Sequence, residues 1–242
     1  MATDLLQAVD LVKVYGGRRV VDGVSIEVAR QQIIGLLGPN GAGKTTTFYM
    51  VVGLARPESG KVLLDGEDIS AAPMYLRARK GINYLAQEPS VFRKLSVEEN
   101  LLAILETLDI SAGERKVRLN SLLAELNISH LAGQKATSLS GGERRRLEIT
   151  RALVTEPRFM LLDEPFAGID PLAIIDIQNI IRQLKSRGLG IIISDHNVRE
   201  TLNVCDYAYI VGGGRIIEQG LPGDIVKSRV VQSVYLGENF NL

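Results

Sequence analysis

Residues 36–50 read LLGPNGAGKTTTFYM. Three glycines, a proline, a lysine and three threonines stand between two apolar stretches. Such residues build a core poorly, so the junction has another use. Gly38, Pro39, Asn40, Gly41, Ala42, Gly43, Lys44 and Thr45 spell G-x-x-x-x-G-K-T. The short apolar run QQIIGLLG before them reads as a buried strand, and KTTTFYMVVGL after them as a helix ended by Gly53 and Pro57. Between a strand and a helix this spacing predicts a phosphate-binding loop. Glycines allow positive φ and let the backbone approach a ligand. Consecutive N–H groups at a helix N-terminus then make an anion-binding nest. Lys44 adds a point charge for the β- and γ-phosphates, and Thr45 offers a hydroxyl to Mg²⁺.

Outward from that loop the chain alternates strands and helices. LQAVDLVKVY and VVDGVSIEV have the β-branched content of strands, with GGRR turning between them. GKVLLDGEDI is a strand broken at Asp65-Gly66. From about Ser96 to His130 apolar residues recur every three or four positions, which predicts helices. Strands return as FMLLDE, GIIISD and YAYIV. The expected fold is α/β, a P-loop NTPase with a mainly parallel core sheet. A helical subdomain, about 93–155, is inserted in it, and residues 1–242 form a single domain.

The bounds agree with one globular enzyme. The chain has 242 residues, a formal net charge of zero, 45% hydrophobic and 23% charged residues. Zero net charge argues against nucleic acid as a partner, and no apolar run approaches the ~18 residues that span a bilayer. MATDLLQAVDLV has no basic residue ahead of its apolar part, unlike a secretory leader. The single Cys205 forbids an internal disulfide and fits a reducing cytosol. Two histidines and one cysteine are too few for a zinc site built by protein alone.

A phosphate cradle needs a metal holder and a group that activates water. RFMLLDEP offers both at the C-terminal edge of a strand, where open α/β sheets bind ligands. Asp163 would help hold Mg²⁺, directly or through water, and Glu164 would polarise the attacking water.

LSGGE at 139–143, followed by RRRLEITRAL, resembles the signature motif of ABC-transporter ATPase subunits. The resemblance covers essentially the whole chain. It implies an N-terminal antiparallel β subdomain beside the core, and ATP and Mg²⁺ as cofactors. By that resemblance Tyr15 stacks on adenine, and Thr46 joins residues 38–45 in binding nucleotide. Gln87 matches the glutamine loop, ligating Mg²⁺ with Thr45 and Asp163. Asp170 matches the D-loop aspartate, and His196 the switch histidine that acts with Glu164 and Gln87 in catalysis. Ser140, Gly141, Gly142 and Glu143 would act across a homodimer, on the ATP held by the other chain. Arg144, Arg145 and Arg146 read as a solvated helix face.

Within the family, GPNGAGKTTTFYMVVGL, QEPSVFRKLSVEENL, LDEPFAGIDP, DHNVRETL and VYLGENFNL are similar to ATPase subunits that power lipopolysaccharide export. Ala86 stands where that pattern has proline, and Thr150 where it has alanine. The similarity implies a homodimer on the cytoplasmic face of the inner membrane, beneath two integral membrane subunits. Phe92 and Arg93, beside Lys94 and Leu95, are expected to contact those subunits. Phe92 and Leu95 could instead be core residues of the helical insert. The competing functions are a branched-chain amino-acid importer ATPase and an ATPase of iron–sulfur assembly.

Overall fold

The computed structural model describes residues 4–236. The last six residues of the VYLGENFNL stretch, 237–242, lie outside the described residues. Among those described, two sheets form the frame. β1 (Leu5–Tyr15) and β2 (Arg18–Ala29) pair antiparallel. Their turn is Gly16-Gly17, both at positive φ, the geometry a two-residue hairpin turn demands. β4 (Ser59–Leu64) and β5 (Glu67–Asp68) complete a four-stranded sheet in the order β2-β1-β4-β5.

The second sheet has the order β10-β9-β3-β8-β7-β6. Its strands are β3 (Ile33–Leu37), β6 (Ile82–Leu85), β7 (Phe159–Asp163), β8 (Gly190–Asp195), β9 (Tyr207–Gly212) and β10 (Arg215–Gly220). All neighbours run parallel except β9 and β10. β3, β7 and β8 are buried at every residue, so their sequences are continuous apolar runs rather than alternating ones. Ile33, Leu37, Met160, Leu162, Ile191 and Ile193 point into one core. Ile34, Leu36, Phe159, Leu161 and Ile192 point into the other, beneath the first sheet.

The register decides where chemistry can happen. Leu37 pairs with Asp195, Ser194 with Asp163, and Leu162 with Leu85. Four parallel strands therefore end level, and the loops that leave them start side by side.

Helix α1 (Lys44–Val52) leaves the loop after β3 and stops at Gly53, φ 86°. Beyond it lies α2 (Met74–Arg79). Arg77 of α2 is 1% exposed, and its guanidinium makes its hydrogen bonds to carbonyls, with the Asp68 charge nearby rather than paired to it. It donates to the carbonyls of Met50 and Val51, both at 2.7 Å, and to those of Ser70 and Ala72. Met50 and Val51 are among the last carbonyls of α1, where the helix dipole is negative and favours a cation.

Between β6 and β7 the regular elements are helical: α3 (Val97–Leu105), α4 (Ala112–Glu125) and α5 (Gly141–Leu153). They enclose their own core of Leu101, Leu105, Leu119, Leu123 and Leu147. Ser96 and Ser140 each start a helix with a reciprocal capping box, to Glu99 and Glu143, which satisfies donors that a helix start leaves open. α6 (Pro171–Ser186) follows β7, α7 (Val198–Leu202) follows β8, and α8 (Pro222–Lys227) and α9 (Arg229–Val231) lead into a π-helical turn at Gln232–Leu236.

One expectation fails. Arg145 is not on a solvated face: it is 6% exposed. Its guanidinium donates to the carbonyls of Ala86 and Asp163 and to the Glu148 carboxylate, each at 3.1 Å. Arg145 follows buried Gly142 by three residues and precedes buried Glu148 and Ile149 by three and four. That spacing puts it on the inner face of α5. Its neighbours Arg144 and Arg146 are half-buried and bonded to Leu139 O and Asp176. Thr150 is fully buried in place of the expected alanine, its hydroxyl donating to Arg146 O at 2.7 Å.

Candidate active site

The loop after β3 has the backbone that its sequence requires. Gly38 has φ 152°, and a Cβ there would lie 2.2 Å from Val211 O. Gly43 has φ 109°, and its Cβ would lie 2.5 Å from Val20 O. Only glycine fits at either position. Gly43 is also the N-cap of α1, so the first free N–H groups of that helix face the loop. The side chain of Lys44 folds back over it, donating to Gly38 O at 2.7 Å and Pro39 O at 3.0 Å. Burial pulls the Lys44 pKa down, and the nearby charges of Glu164, Asp163 and Asp195 oppose that pull. Thr47 returns its hydroxyl to Gly43 O. Thr45 and Thr46 lie half-buried at the helix start, while Pro39, Asn40 and Gly41 are exposed and Ala42 is buried.

Asp163 ends β7 at 1% exposure. Its Oδ2 accepts the Tyr84 hydroxyl at 3.0 Å, while Oδ1 is buried with no hydrogen-bond partner. Burial raises its pKa, partly offset by Tyr84. An unpartnered buried carboxylate oxygen is costly unless something else meets it; the neighbouring Ser194 hydroxyl, itself buried and unpartnered, is one group that could, and a cation is another.

Glu164 follows at φ 44°, a left-handed conformation that a non-glycine residue adopts at a cost of about 1–3 kcal/mol. Its N–H donates to Ser194 O, which locks the turn. Its Oε2 accepts Gln87 Nε2 at 2.9 Å and stands 3.2 Å from His196 Nδ1. Gln87 and His196, two residues named from sequence as catalytic, thus converge on the carboxylate of the third, Glu164. Level strand ends are the cause: Gln87 follows β6, Glu164 follows β7 and His196 follows β8. His196 is more than half exposed. The residue before it, Asp195, is fully buried and accepts the amides of Phe166 and Asn197 at 3.2 and 2.8 Å. These bonds shape the turn that presents His196. The Tyr235 hydroxyl reaches His196 O at 3.4 Å, and burial pushes its pKa up to about 12.

Tyr15 ends β1 half-exposed, with Lys13 Nζ 5.3 Å from its ring centre. At the start of α5 the Ser140 N–H and hydroxyl both donate to Glu143 Oε2 at 2.8 Å, which hold the Glu143 carboxyl below its usual range. A Cβ on Gly142 would stand 2.8 Å from the Ala173 Cβ, so α5 and α6 touch at that glycine. Asp170 caps α6 through the Ala173 amide. Among the described residues, no hydrogen bond joins 140–143 to 38–46. The chain carries two separate helix starts, at Lys44 and at Gly141, that are not joined to each other.

Phe92 is 46% exposed, with the Arg151 guanidinium 5.2 Å from its ring. Arg93 and Lys94 are exposed and Leu95 is half-buried. Val91 and not Phe92 enters the helical core. Phe92 borders a 300 Å³ groove with Met74, Tyr84, Ile104 and Arg151.

Tyr84, Arg145, Glu148 and Asp195 escape the sequence reading. A signal existed only for Arg145, in its helical spacing, and for Asp195, in its adjacency to His196.

The comparisons with known proteins follow this geometry. The model of the ABC transporter family matches residues 21–167. The lipopolysaccharide export system ATP-binding protein LptB of Escherichia coli K12 is 56% identical, covering all of both chains. That of Haemophilus influenzae is 56% identical over 98% of this chain and 99% of its own. Among solved structures, the ADP conformation of MJ1267, an ATP-binding cassette of an ABC transporter, is 30% identical with a TM-score of 0.87, covering 97% of this chain and 99% of that one.

Proposed function

This chain belongs to the ABC transporter family, and from that membership we propose that it is the ATP-hydrolysing subunit of a transporter that extracts lipopolysaccharide from the inner membrane and exports it toward the outer membrane. The chemistry is carried by one observation: Gln87 and His196 converge on the strained Glu164 beside the Lys44 cradle. The cargo rests on near-full-length identity to the lipopolysaccharide export proteins.

The chain's own groups divide the work. Backbone amides of residues 38–46 and the Lys44 ammonium bind the β- and γ-phosphates, and the face of Tyr15 takes the purine. Asp163 Oδ1, Thr45 and Gln87 would hold Mg²⁺. Among the described residues no three acidic, histidine or cysteine side chains cluster as a ligand set. That suits a cation which keeps its waters and shares the phosphate oxygens. Bound there, Mg²⁺ would neutralise charge on the β- and γ-phosphates. Glu164 accepts a hydrogen bond from the water that attacks the γ-phosphorus, and Gln87 orients that carboxylate. His196, exposed beside them, reaches toward the γ-phosphate.

Two unjoined phosphate devices in one chain support a head-to-tail homodimer, in which Ser140, Gly141, Gly142 and Glu143 act on the partner's ATP and Asp170 stands at the seam. Exposed Phe92 and Arg93 beside a groove of mixed apolar and polar lining support docking of two integral membrane subunits. No helix among the described residues is long and apolar enough to cross a membrane, which fits a subunit held at the cytoplasmic face of the inner membrane. The internal bonding of Arg144, Arg145 and Arg146 fits the absence of a nucleic-acid partner. We read residues 1–242 as one ABC ATPase domain with a helical subdomain over about 93–155.

Depletion of the chain in its own cells tests the cargo. Lipopolysaccharide should accumulate in the inner membrane. Unchanged lipopolysaccharide with arrested branched-chain amino-acid uptake would favour the importer, and loss of iron–sulfur enzyme activity the assembly ATPase. Neither alternative has a specific observation in its favour.

A further inference from the structure

Tyr84 is outside the phosphate cradle, yet it touches both the cation carboxylate and the groove. It lies on β6, the edge strand whose one neighbour in the sheet is β7. Its hydroxyl donates to Asp163 Oδ2 at 3.0 Å, leaving Oδ1 as the oxygen without a partner. Its ring stands edge-on to Tyr49 of α1, centroids 6.2 Å apart at 87°. The same side chain lines the 300 Å³ groove with Met74, Phe92, Ile104 and Arg151. Packing alone does not call for the hydroxyl, since phenylalanine fills the same volume.

We propose that Tyr84 is a positioning residue: it turns Asp163 so that Oδ1 faces the cation, and it transmits occupancy of the groove to that carboxylate. The transmission rests on the docking reading of the Phe92 groove, whereas the positioning does not. A carboxylate can rotate about its last bond, and the Tyr84 hydrogen bond on Oδ2 favours one orientation, with the Ser194 hydroxyl close by. A helix seated in the groove presses on the ring whose far end makes that bond. One rigid side chain therefore joins the two sites without any intervening loop.

The test uses the purified chain and its Tyr84→Phe variant. A non-hydrolysable ATP analogue is titrated by fluorescence at increasing Mg²⁺, with EDTA as the metal-free control. The variant should melt within about 2 °C of wild type and bind the analogue normally in EDTA. It should need about tenfold more Mg²⁺ for half-saturation, the low end of what a hydrogen bond to a charged group contributes. An unchanged Mg²⁺ half-saturation overturns the positioning role. The same titration on the complex purified from membranes tests the transmission. Assembly should move the wild-type Mg²⁺ half-saturation by about fivefold or more and leave that of Tyr84→Phe unmoved. A wild-type-like shift in the variant overturns the transmission. Normal copurification of Phe92→Ala with the membrane subunits would reject the docking reading and the transmission with it, and leave the isolated-chain result to stand on its own.

Discussion

Replacing Arg145 with methionine separates two readings of the arginine run. On a solvated helix face the change would cost within about 0.5 kcal/mol. In the fold, methionine fills the stem's volume and removes every donor. The carbonyls of Ala86 and Asp163 lose their guanidinium bonds. Glu148, 4% exposed, loses its hydrogen-bonded counter-charge and keeps only the influence of Arg151. Removing one member of a buried ion pair costs about 3–5 kcal/mol. Glu148 Oε1 keeps the Ser90 amide at 2.8 Å, which places the cost near the lower figure, about 3 kcal/mol. For a chain of this size each kcal/mol moves the melting temperature by about 2–4 °C. The expected fall is therefore about 6–12 °C, read by calorimetry on the nucleotide-free chain. A double variant, Arg145→Met with Glu148→Leu, removes both charges and should recover most of the loss. ATPase turnover should fall in both, because the carbonyls of Ala86 and Asp163 stand beside Gln87 and Glu164. A single-variant melting temperature within about 1 °C of wild type would refute the buried network and restore the solvated face.

Glu164→Gln keeps the side chain's shape and loses the carboxylate proposed to polarise water. It should bind ATP, hold a closed dimer in gel filtration, and turn over ~10²-fold or more slower. Asp163→Asn should abolish Mg²⁺-dependent nucleotide binding and raise the nucleotide-free melting temperature at neutral pH. Burial holds the folded pKa of Asp163 above its usual 3.8, so the ionised form carries a penalty present above the folded pKa. The variant's advantage should shrink as pH falls through that value, and an advantage that grows on acidification would exclude this cause. Ser140→Ala removes the cap of α5 and should cost about 1 kcal/mol, leave nucleotide binding by the monomer intact, and suppress ATP-driven dimerisation. Gly142→Asp is a poorer probe of dimerisation, since any Cβ there meets Ala173 at 2.8 Å. Phe92→Ala or Arg93→Ala should melt normally and copurify poorly with membrane subunits, an outcome that a collapsed melting temperature would contradict.

The features that sequence reading recovered are those whose cause is local. Consecutive amides and glycines make the cradle at 38–45. Unbroken apolar runs mark β3, β7 and β8 as buried on both faces. The elements it passed over are short ones, such as β6 and α2, and the strand β10, whose residues are mostly half-exposed. What tertiary structure alone decided is which groups meet. Gln87 and Glu164 are 77 positions apart, Tyr84 and Asp163 are 79 apart, and Arg145 and Ala86 are 59 apart. Their contacts follow from parallel strands that end level, so that loops distant in the chain open onto one edge. Periodicity tells which way a side chain faces within its own element. It does not tell what another element brings to that face, and so an arginine that sequence places among charged neighbours becomes the buried tie between α5, β6 and β7.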